Sequence, residues 1–124
     1  MKKVLLLGDS IRMSYQPLVE DMLRGKAKVV GPDDNCQSSA YTVENLDSWL
    51  DDLGKPDVVH WNNGLHDVGH NSQRDPEQLS SRDYTSNLEQ ILEKLLSTGA
   101  NVIWATTTPV HPDREGGGQW SWEN

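Results

Sequence analysis

The stretch Val4-Leu5-Leu6-Leu7-Gly8-Asp9-Ser10, near the start of the chain, decides the fold. Four consecutive apolar residues ended by glycine are typical of a strand covered on both faces, as in a parallel sheet. Apolar residues then recur on one helical face up to Gly25. Pro17 is compatible with this helix only if its regular part begins near Ser14. The sequence therefore predicts a strand, a turn at Ser10 and a helix.

The rest of the chain repeats this alternation. Strands are predicted over 27–30, 58–61 and 102–105, and amphipathic helices over 42–53 and 84–96. Thr42 is the predicted cap of the first of these helices, and Gly54 and Gly99 are the predicted ends of the two. With right-handed crossovers, the order β-α-β-α-β-α-β gives a parallel sheet flanked by helices. We interpret residues 1–124 as one α/β domain with about four strands.

Composition excludes several classes of function. Nineteen acidic and eleven basic side chains give a formal net charge of −8, which disfavours nucleic acid or a membrane as a partner. The single cysteine, Cys36, excludes an internal disulfide. No apolar stretch is long enough for a signal peptide or a membrane span, so a cytoplasmic protein is the default expectation. The turn after the first strand lacks the glycines of a dinucleotide-binding fingerprint, and no cofactor is expected.

Polar residues collect where the predicted strands end. They include Asp9 and Ser10, then residues 35–39, 62–67 and 107–111. Ligands bind at the carboxyl ends of the strands in open parallel sheets, so we expect a site here. A serine at a strand-to-helix turn can be a nucleophile, because helix N-terminal amides stabilise negative charge on a substrate oxygen. The competing interpretation is a turn in which Asp9 or Ser10 only caps the helix.

Two segments resemble blocks of the SGNH hydrolases, also called GDSL-type esterases and lipases. Gly8-Asp9-Ser10-Ile11 is similar to the family's first block, and Gly64-Leu65-His66-Asp67 to its third. The resemblance covers essentially the whole chain and implies a flavodoxin-like three-layer α/β/α sandwich. It also implies hydrolysis of a small acyl or acetyl ester with Ser10 as the nucleophile. His66 stands where the family has an oxyanion-binding Asn, with Asn63 as a second donor and Asp67 ordering the loop.

The second block departs from the family pattern. The family uses a glycine amide in the oxyanion hole, whereas residues 35–39 contain no glycine. The backbone amide of Ser38 or Ser39 is the substitute that we expect, because any residue except proline offers one.

The fifth block, an Asp-x-x-His that supplies the acid and the base, is also displaced. Asp57-Val58-Val59-His60 has the spacing but spans a predicted strand, where His60 is expected to pack beside the sheet. His70 and His111 remain as candidate bases, since a base must reach the nucleophile. We therefore expect a C-terminally incomplete SGNH-like domain, at best a feeble esterase when isolated.

Other interpretations stay open. The chain could be a noncatalytic, truncated SGNH-like protein that binds a small ligand, or a fragment completed by another segment. A homo-oligomer or segment swap would cover apolar surface left by the missing region. A metal site from Asp9, His66, Asp67 and His70 is less favoured because loops give no fixed ligand spacing, so no metal is expected. Trp120 and Trp122 are expected to pack in a core or interface.

Overall fold

The computed structural model describes residues 1–68 and 79–108. Four strands form one parallel sheet in the order β2-β1-β3-β4. The strands are β1 Lys2–Leu7, β2 Ala27–Val30, β3 Val58–Trp61 and β4 Asn101–Trp104. The helices are α1 Ser10–Met22, α2 Ser39–Leu53, α3 Leu65–Val68 and α4 Ser81–Ser97. The predicted alternation of strands and helices is confirmed. Within this part of the chain, no helix combines the length and apolar character needed to cross a membrane.

The main hydrophobic core lies between one face of the sheet and helices α2 and α4. Alternate residues of the two central strands point into it, because successive side chains of a strand face opposite sides. The strands contribute Leu5, Leu7, Val59 and Trp61, and the helices contribute Leu46, Trp49, Ile91 and Leu95.

Helix α1 lies on the opposite face of the sheet. Leu6, which points away from the main core, is 3% exposed, and the His60 ring contacts Tyr15 of α1 at a centroid distance of 6.2 Å. The three-layer α/β/α arrangement is therefore confirmed. Further along α1, Leu18 and Met22 are 64% and 77% exposed.

Helix α1 begins earlier than predicted. It starts at Ser10 rather than near Ser14, and Pro17 lies inside it. The Asp9 side chain fixes the start, because its Oδ1 accepts the Ile11 amide N–H at 2.9 Å. Pro17 is exposed, and the helix continues through it although proline removes one amide donor and crowds the preceding turn.

Helix α2 also begins before its predicted cap. Ser38, not Thr42, is the N-cap, and its Oγ accepts the Tyr41 amide N–H at 3.1 Å. Thr42 is buried within the helix, with its Oγ1 3.0 Å from the Cys36 carbonyl oxygen. The predicted end of α2 at Gly54 is confirmed.

The segment between β3 and the predicted start of α4 contains regular structure that the sequence pattern does not predict. Four of its residues form α3, and Ser80 caps α4 four residues before Tyr84, the first apolar residue on that helix face. Periodicity missed both features, since α3 is too short to show a period and the first turn of α4 is polar.

Candidate active site

Three loops meet at the carboxyl end of the sheet, between β1 and β3. The chain passes from β1 to β2 on one side and to β3 on the other, so strand order reverses at this point. The Leu7 carbonyl accepts the Asn62 amide at 3.1 Å, and the Gly8 carbonyl accepts the Cys36 amide at 3.1 Å. These bonds join the loops after β1, β2 and β3, and Ser10 lies beside the junction.

Ser10 is the first residue of α1 and its side chain is exposed. Its Oγ has no hydrogen-bond partner among the described residues, while its carbonyl accepts the Ser14 hydroxyl at 3.0 Å. Asp9 is 6% exposed and serves as the helix cap. The capping interpretation thus applies to Asp9, and Ser10 remains accessible to a substrate.

Asp67 ties α3 to the start of α2. Both of its carboxylate oxygens lie 3.0 Å from the Ser39 amide nitrogen, and Oδ1 accepts the Ser39 hydroxyl at 2.5 Å. Asn87 of α4 donates to the same hydroxyl oxygen at 3.1 Å. Asp67 and Ser39 are 1% and 0% exposed. Because the Ser39 amide is bound to a carboxylate, it is not available to a substrate oxygen, which corrects one of the two expected amide donors.

The Ser38 amide is the remaining donor of this loop. Within 1–68 and 79–108, no hydrogen bond uses it. The residue before it, Gln37, has a φ of +53°, the left-handed backbone that glycine adopts most readily. The Asn35 side chain supports this turn by accepting the Gln37 amide N–H at 2.8 Å. The loop therefore makes the turn without the family's glycine.

Asn63 is committed to contacts inside the protein. Its Oδ1 accepts the Trp61 indole N–H at 2.7 Å, and its Nδ2 donates to Thr42 Oγ1 at 3.1 Å and to the Gln37 carbonyl at 3.3 Å. Asn63 is 2% exposed. With both ends of its carboxamide used, Asn63 braces the loop before Ser38 and has no N–H left over for a substrate.

His66 is the second residue of α3, and its side chain is 8% exposed. The α3 turn is held by the Gly64 carbonyl, which accepts the Asp67 amide at 3.0 Å. A Cβ atom on Gly64 would lie 2.0 Å from Thr107 Oγ1, so this glycine is required by the close approach of the loop after β4.

Tyr84 locks the same turn from α4. Its hydroxyl donates to the Asn63 carbonyl at 2.5 Å, and Thr107 donates to that carbonyl at 3.2 Å. Burial raises the pKa of Tyr84, so its hydroxyl stays a donor at neutral pH. The sequence pattern places Tyr84 only on the apolar face of a helix, because periodicity does not show where its hydroxyl points.

A cleft of about 120 Å³ opens beside Asp9, between α1 and the ends of β3 and β4. Tyr15, His60, Asn62 and Thr106 are among the residues that line it. His60 lies on β3 as expected, with its Nδ1 3.5 Å from the Tyr15 hydroxyl oxygen. Burial also raises the pKa of Tyr15.

Arg12 is a second residue that sequence analysis missed. It is 3% exposed and reaches into the loop after β2. A signal existed, since Arg12, Tyr15 and Val19 fall at i, i+3 and i+7 on the inner face of α1.

Four residues with predicted roles, His70, His111, Trp120 and Trp122, lie outside the described residues. Of the less favoured metal site, Asp9, His66 and Asp67 lie in the described part of the chain, where no three His, Cys, Asp or Glu side chains form a group that could hold a metal ion. Asp9 and Asp67 are instead engaged with backbone amides.

No protein-family model matches the sequence, and no curated protein sequence matches it. Several solved structures do match. The acetyl xylan esterase AlAXEase has a TM-score of 0.76 at 18% identity, over 94% of this chain and 66% of its own. TesA has a TM-score of 0.72 at 21% identity, over 90% of this chain and 63% of its own. The chain shares the fold of these proteins.

The psychrotrophic esterase EstA from Pseudoalteromonas sp. is a further match, with a TM-score of 0.65 at 16% identity over 84% of this chain and 58% of its own. The α/β fold predicted from the sequence is thereby confirmed. The chain spans about two thirds or less of the length of each of these three proteins.

Proposed function

We propose that the chain carries the nucleophile and the oxyanion-binding loops of a serine ester hydrolase that acts on a small acyl or acetyl ester. The observation that carries this proposal is the position of Ser10. It is an exposed serine at the first residue of α1, at the point where strand order reverses, and the loops after β2 and β3 are hydrogen-bonded to its own turn. Helix N-terminal amides at this position favour negative charge on a bound oxygen.

The proposed reaction is acyl transfer through Ser10. Its Oγ attacks the ester carbonyl carbon as its proton passes to a base, and the carbonyl oxygen becomes an oxyanion. The amides of Ser10 and Ser38 and a ring N–H of His66 are the donors that we assign to this oxyanion. Collapse of the intermediate breaks the ester C–O bond and the alcohol leaves with a proton. Water then attacks the acyl-serine to release the acid.

The base is assigned to His70 or His111, or to another segment that completes the site. Asn63 and Asp67 are positioning residues in this scheme, since their side chains hold the loops and do not reach out to a substrate. Without a base, the hydroxyl of Ser10 is a poor nucleophile at neutral pH.

The cleft beside Asp9 supports a small substrate group. Asp9 and Ile11, which flank Ser10 in the chain, line this cleft, and its volume is about 120 Å³. An acetyl or short acyl group suits that space. Two of the matching structures have compatible descriptions: one is an acetyl xylan esterase, and the EstA structure is described as inhibited by monoethylphosphonate.

A noncatalytic ligand-binding role is the second candidate. It is supported by the cleft beside Asp9, which offers space for a ligand whether or not a base is present. Ligand binding needs the cleft and the oxyanion donors but no base.

A fluorophosphonate probe separates the two. Under the proposal, the probe labels the chain, or a completed version of it that supplies the base, on Ser10, and Ser10→Ala abolishes labelling. Ser14→Ala is the matched control, because Ser14 is an exposed serine one turn further along α1, and it should label like wild type. Equal labelling of wild type and Ser10→Ala would overturn the nucleophile. Binding of a short-chain ester without labelling or turnover would establish the noncatalytic alternative.

A further inference from the structure

Arg12 is a buried cation whose partners belong to two different loops. All three guanidinium nitrogens are used, and a side chain only 3% exposed carries them. Backbone carbonyls are the main acceptors, and the other partners are the Gln16 side chain and a thiol sulfur. The distances are 3.4 Å to Gly8 O, 3.0 Å to Pro32 O, 2.7 Å to Asp34 O, 2.8 Å to Gln16 Oε1 and 3.8 Å to Cys36 Sγ.

Burying the Arg12 guanidinium costs free energy that its hydrogen bonds must offset. Removing a guanidinium from water has a large desolvation penalty, and among the described residues no carboxylate forms an ion pair with Arg12. A fork of five N–H donors can satisfy carbonyls from separate segments at once, which a lysine ammonium cannot do in the same geometry. The contacts therefore act as a clamp between the Gly8 turn and residues 32–36.

Two glycines make space for the Arg12 side chain, because they have no Cβ atom. A Cβ on Gly8 would lie 2.7 Å from Arg12 Cβ, and a Cβ on Gly31 would lie 3.0 Å from Arg12 Nη1. Beyond the clamp, the Cys36 amide donates to the Gly8 carbonyl at 3.1 Å. Ser38 follows two residues later, after the left-handed backbone of Gln37.

We propose that Arg12 is a positioning residue. It holds the segment 32–38 against the nucleophile turn, so that the Ser38 amide and Ser10 face one substrate oxygen. The clamp itself stands on the contacts above. Its role in the reaction rests on the proposed hydrolase function.

Cys36 provides a built-in reporter of the clamp. It is the single cysteine of the chain, is 0% exposed and lies at the clamped segment. The rate at which a disulfide reagent such as DTNB modifies it in the folded protein measures opening of this loop. The comparison uses wild type, Arg12→Met, Arg12→Lys and the matched control Arg24→Met, since Arg24 is exposed near the end of α1.

We expect Arg12→Met to raise the native-state modification rate by about tenfold or more, because several charge-assisted hydrogen bonds are lost. Arg12→Lys should give a smaller increase, and Arg24→Met should match wild type. Charge loss alone acts in the other direction. Burial raises the pKa of Cys36 and the Arg12 cation offsets part of that rise, so removing the cation disfavours the reactive thiolate. Faster modification therefore reports loop opening. Local opening exposes less surface than global unfolding, so the modification rate should depend only weakly on low concentrations of urea if the loop alone opens.

A folded Arg12→Met protein whose Cys36 reacts within about twofold of wild type, the range of an ordinary surface substitution, would overturn the clamp. If Arg12→Met does not fold, Arg12→Lys decides by the same criterion.

Ester turnover tests the second half of the proposal. In an active protein, Arg12→Met should lower kcat with little change in KM, and Arg12→Lys should restore part of it. If Arg12→Met speeds modification of Cys36 but leaves kcat unchanged, the clamp stands and only the positioning role in the reaction is overturned. Absence of turnover and Ser10 labelling in wild type overturns the proposed function and the role in it, while thiol protection still reports on the clamp.

Discussion

The Asp67 carboxylate grips Ser39 through both backbone and side chain, with its two oxygens 3.0 Å from the Ser39 amide nitrogen and Oδ1 2.5 Å from the Ser39 hydroxyl oxygen. This contact fastens the loop after β3 to the first turn of α2. It also distinguishes two adjacent amides, because the Ser39 amide donates to this carboxylate, whereas no hydrogen bond among the described residues uses the Ser38 amide.

Asp67→Asn should lower the free energy of unfolding by about 1–3 kcal/mol, because one buried acceptor is replaced by an NH2 group facing the Ser39 donor. Urea denaturation measures the loss. Asp51→Asn, at an exposed position of α2, should change stability by less than about 0.5 kcal/mol. Equal stability of the two variants would show that the contact contributes nothing net.

His66→Ala should lower ester turnover by about 10²-fold or more if its ring N–H binds the oxyanion. His66→Asn restores a side-chain N–H donor at the same position and should recover part of that loss. Steady-state kinetics on an active form of the protein checks both variants. Urea denaturation midpoints equal to that of the wild type show that a loss of turnover is not a loss of folding. A loss of only a few-fold in His66→Ala would return this residue to a structural role.

Gln37→Gly should keep or raise stability by up to about 1 kcal/mol, since glycine adopts a positive φ without the strain of a side chain. Gln90→Gly, in the exposed part of α4, should instead lose about 1 kcal/mol. Urea denaturation of both variants gives the comparison. A clear loss at Gln37 would mean that its side chain, and not its backbone, matters to the loop.

Cys36 should make the protein less stable at alkaline pH. Burial raises the pKa of its thiol, so above about pH 8.5 the unfolded chain releases this proton while the folded chain retains it. The folded state then binds more protons, and the free energy of unfolding falls as pH rises.

Urea denaturation from neutral pH to about pH 9, below the pKa of about 10 at which tyrosine side chains titrate, tests this expectation. Cys36→Ala should flatten the decline and show a pH-independent difference from wild type at neutral pH. Parallel pH profiles for the two proteins would contradict a raised pKa.

Leu18 and Met22 predict self-association of the chain through the outer face of α1. They are 64% and 77% exposed, and apolar surface in water favours contact with a second copy. The net charge of −8 opposes this, so association should strengthen with added salt.

Sedimentation velocity at several concentrations tests the association. Leu18→Glu with Met22→Glu should abolish it, whereas Leu92→Glu with Leu96→Glu, which adds the same charge on α4, should leave it in place. A monomer at all concentrations and salt levels would refute the prediction.

Much of the fold was predictable because the strands and helices bury apolar residues with a regular period. The run at Leu5 to Leu7 predicts a central strand, and Gly54 predicts the end of α2, as observed. Helix starts were predicted less well. Asp9, Ser38 and Ser80 each cap a helix through a short-range hydrogen bond. Other polar residues nearby are equally good N-cap residues, so the sequence does not show which of them begins the helix.

By itself, the sequence determined the α/β alternation, the glycine-ended strands and the place of Ser10 at a strand-to-helix turn, because these follow from local periodicity and turn chemistry. Only the tertiary structure decided which polar groups are already used. The Ser39 amide is taken by Asp67, the Asn63 carboxamide by Trp61 and Thr42, and Arg12 by carbonyls 20 and 22 residues further along the chain. The physical reason is that a buried donor must find an acceptor wherever packing places one, and distance in space is not encoded in the spacing of residues along the chain.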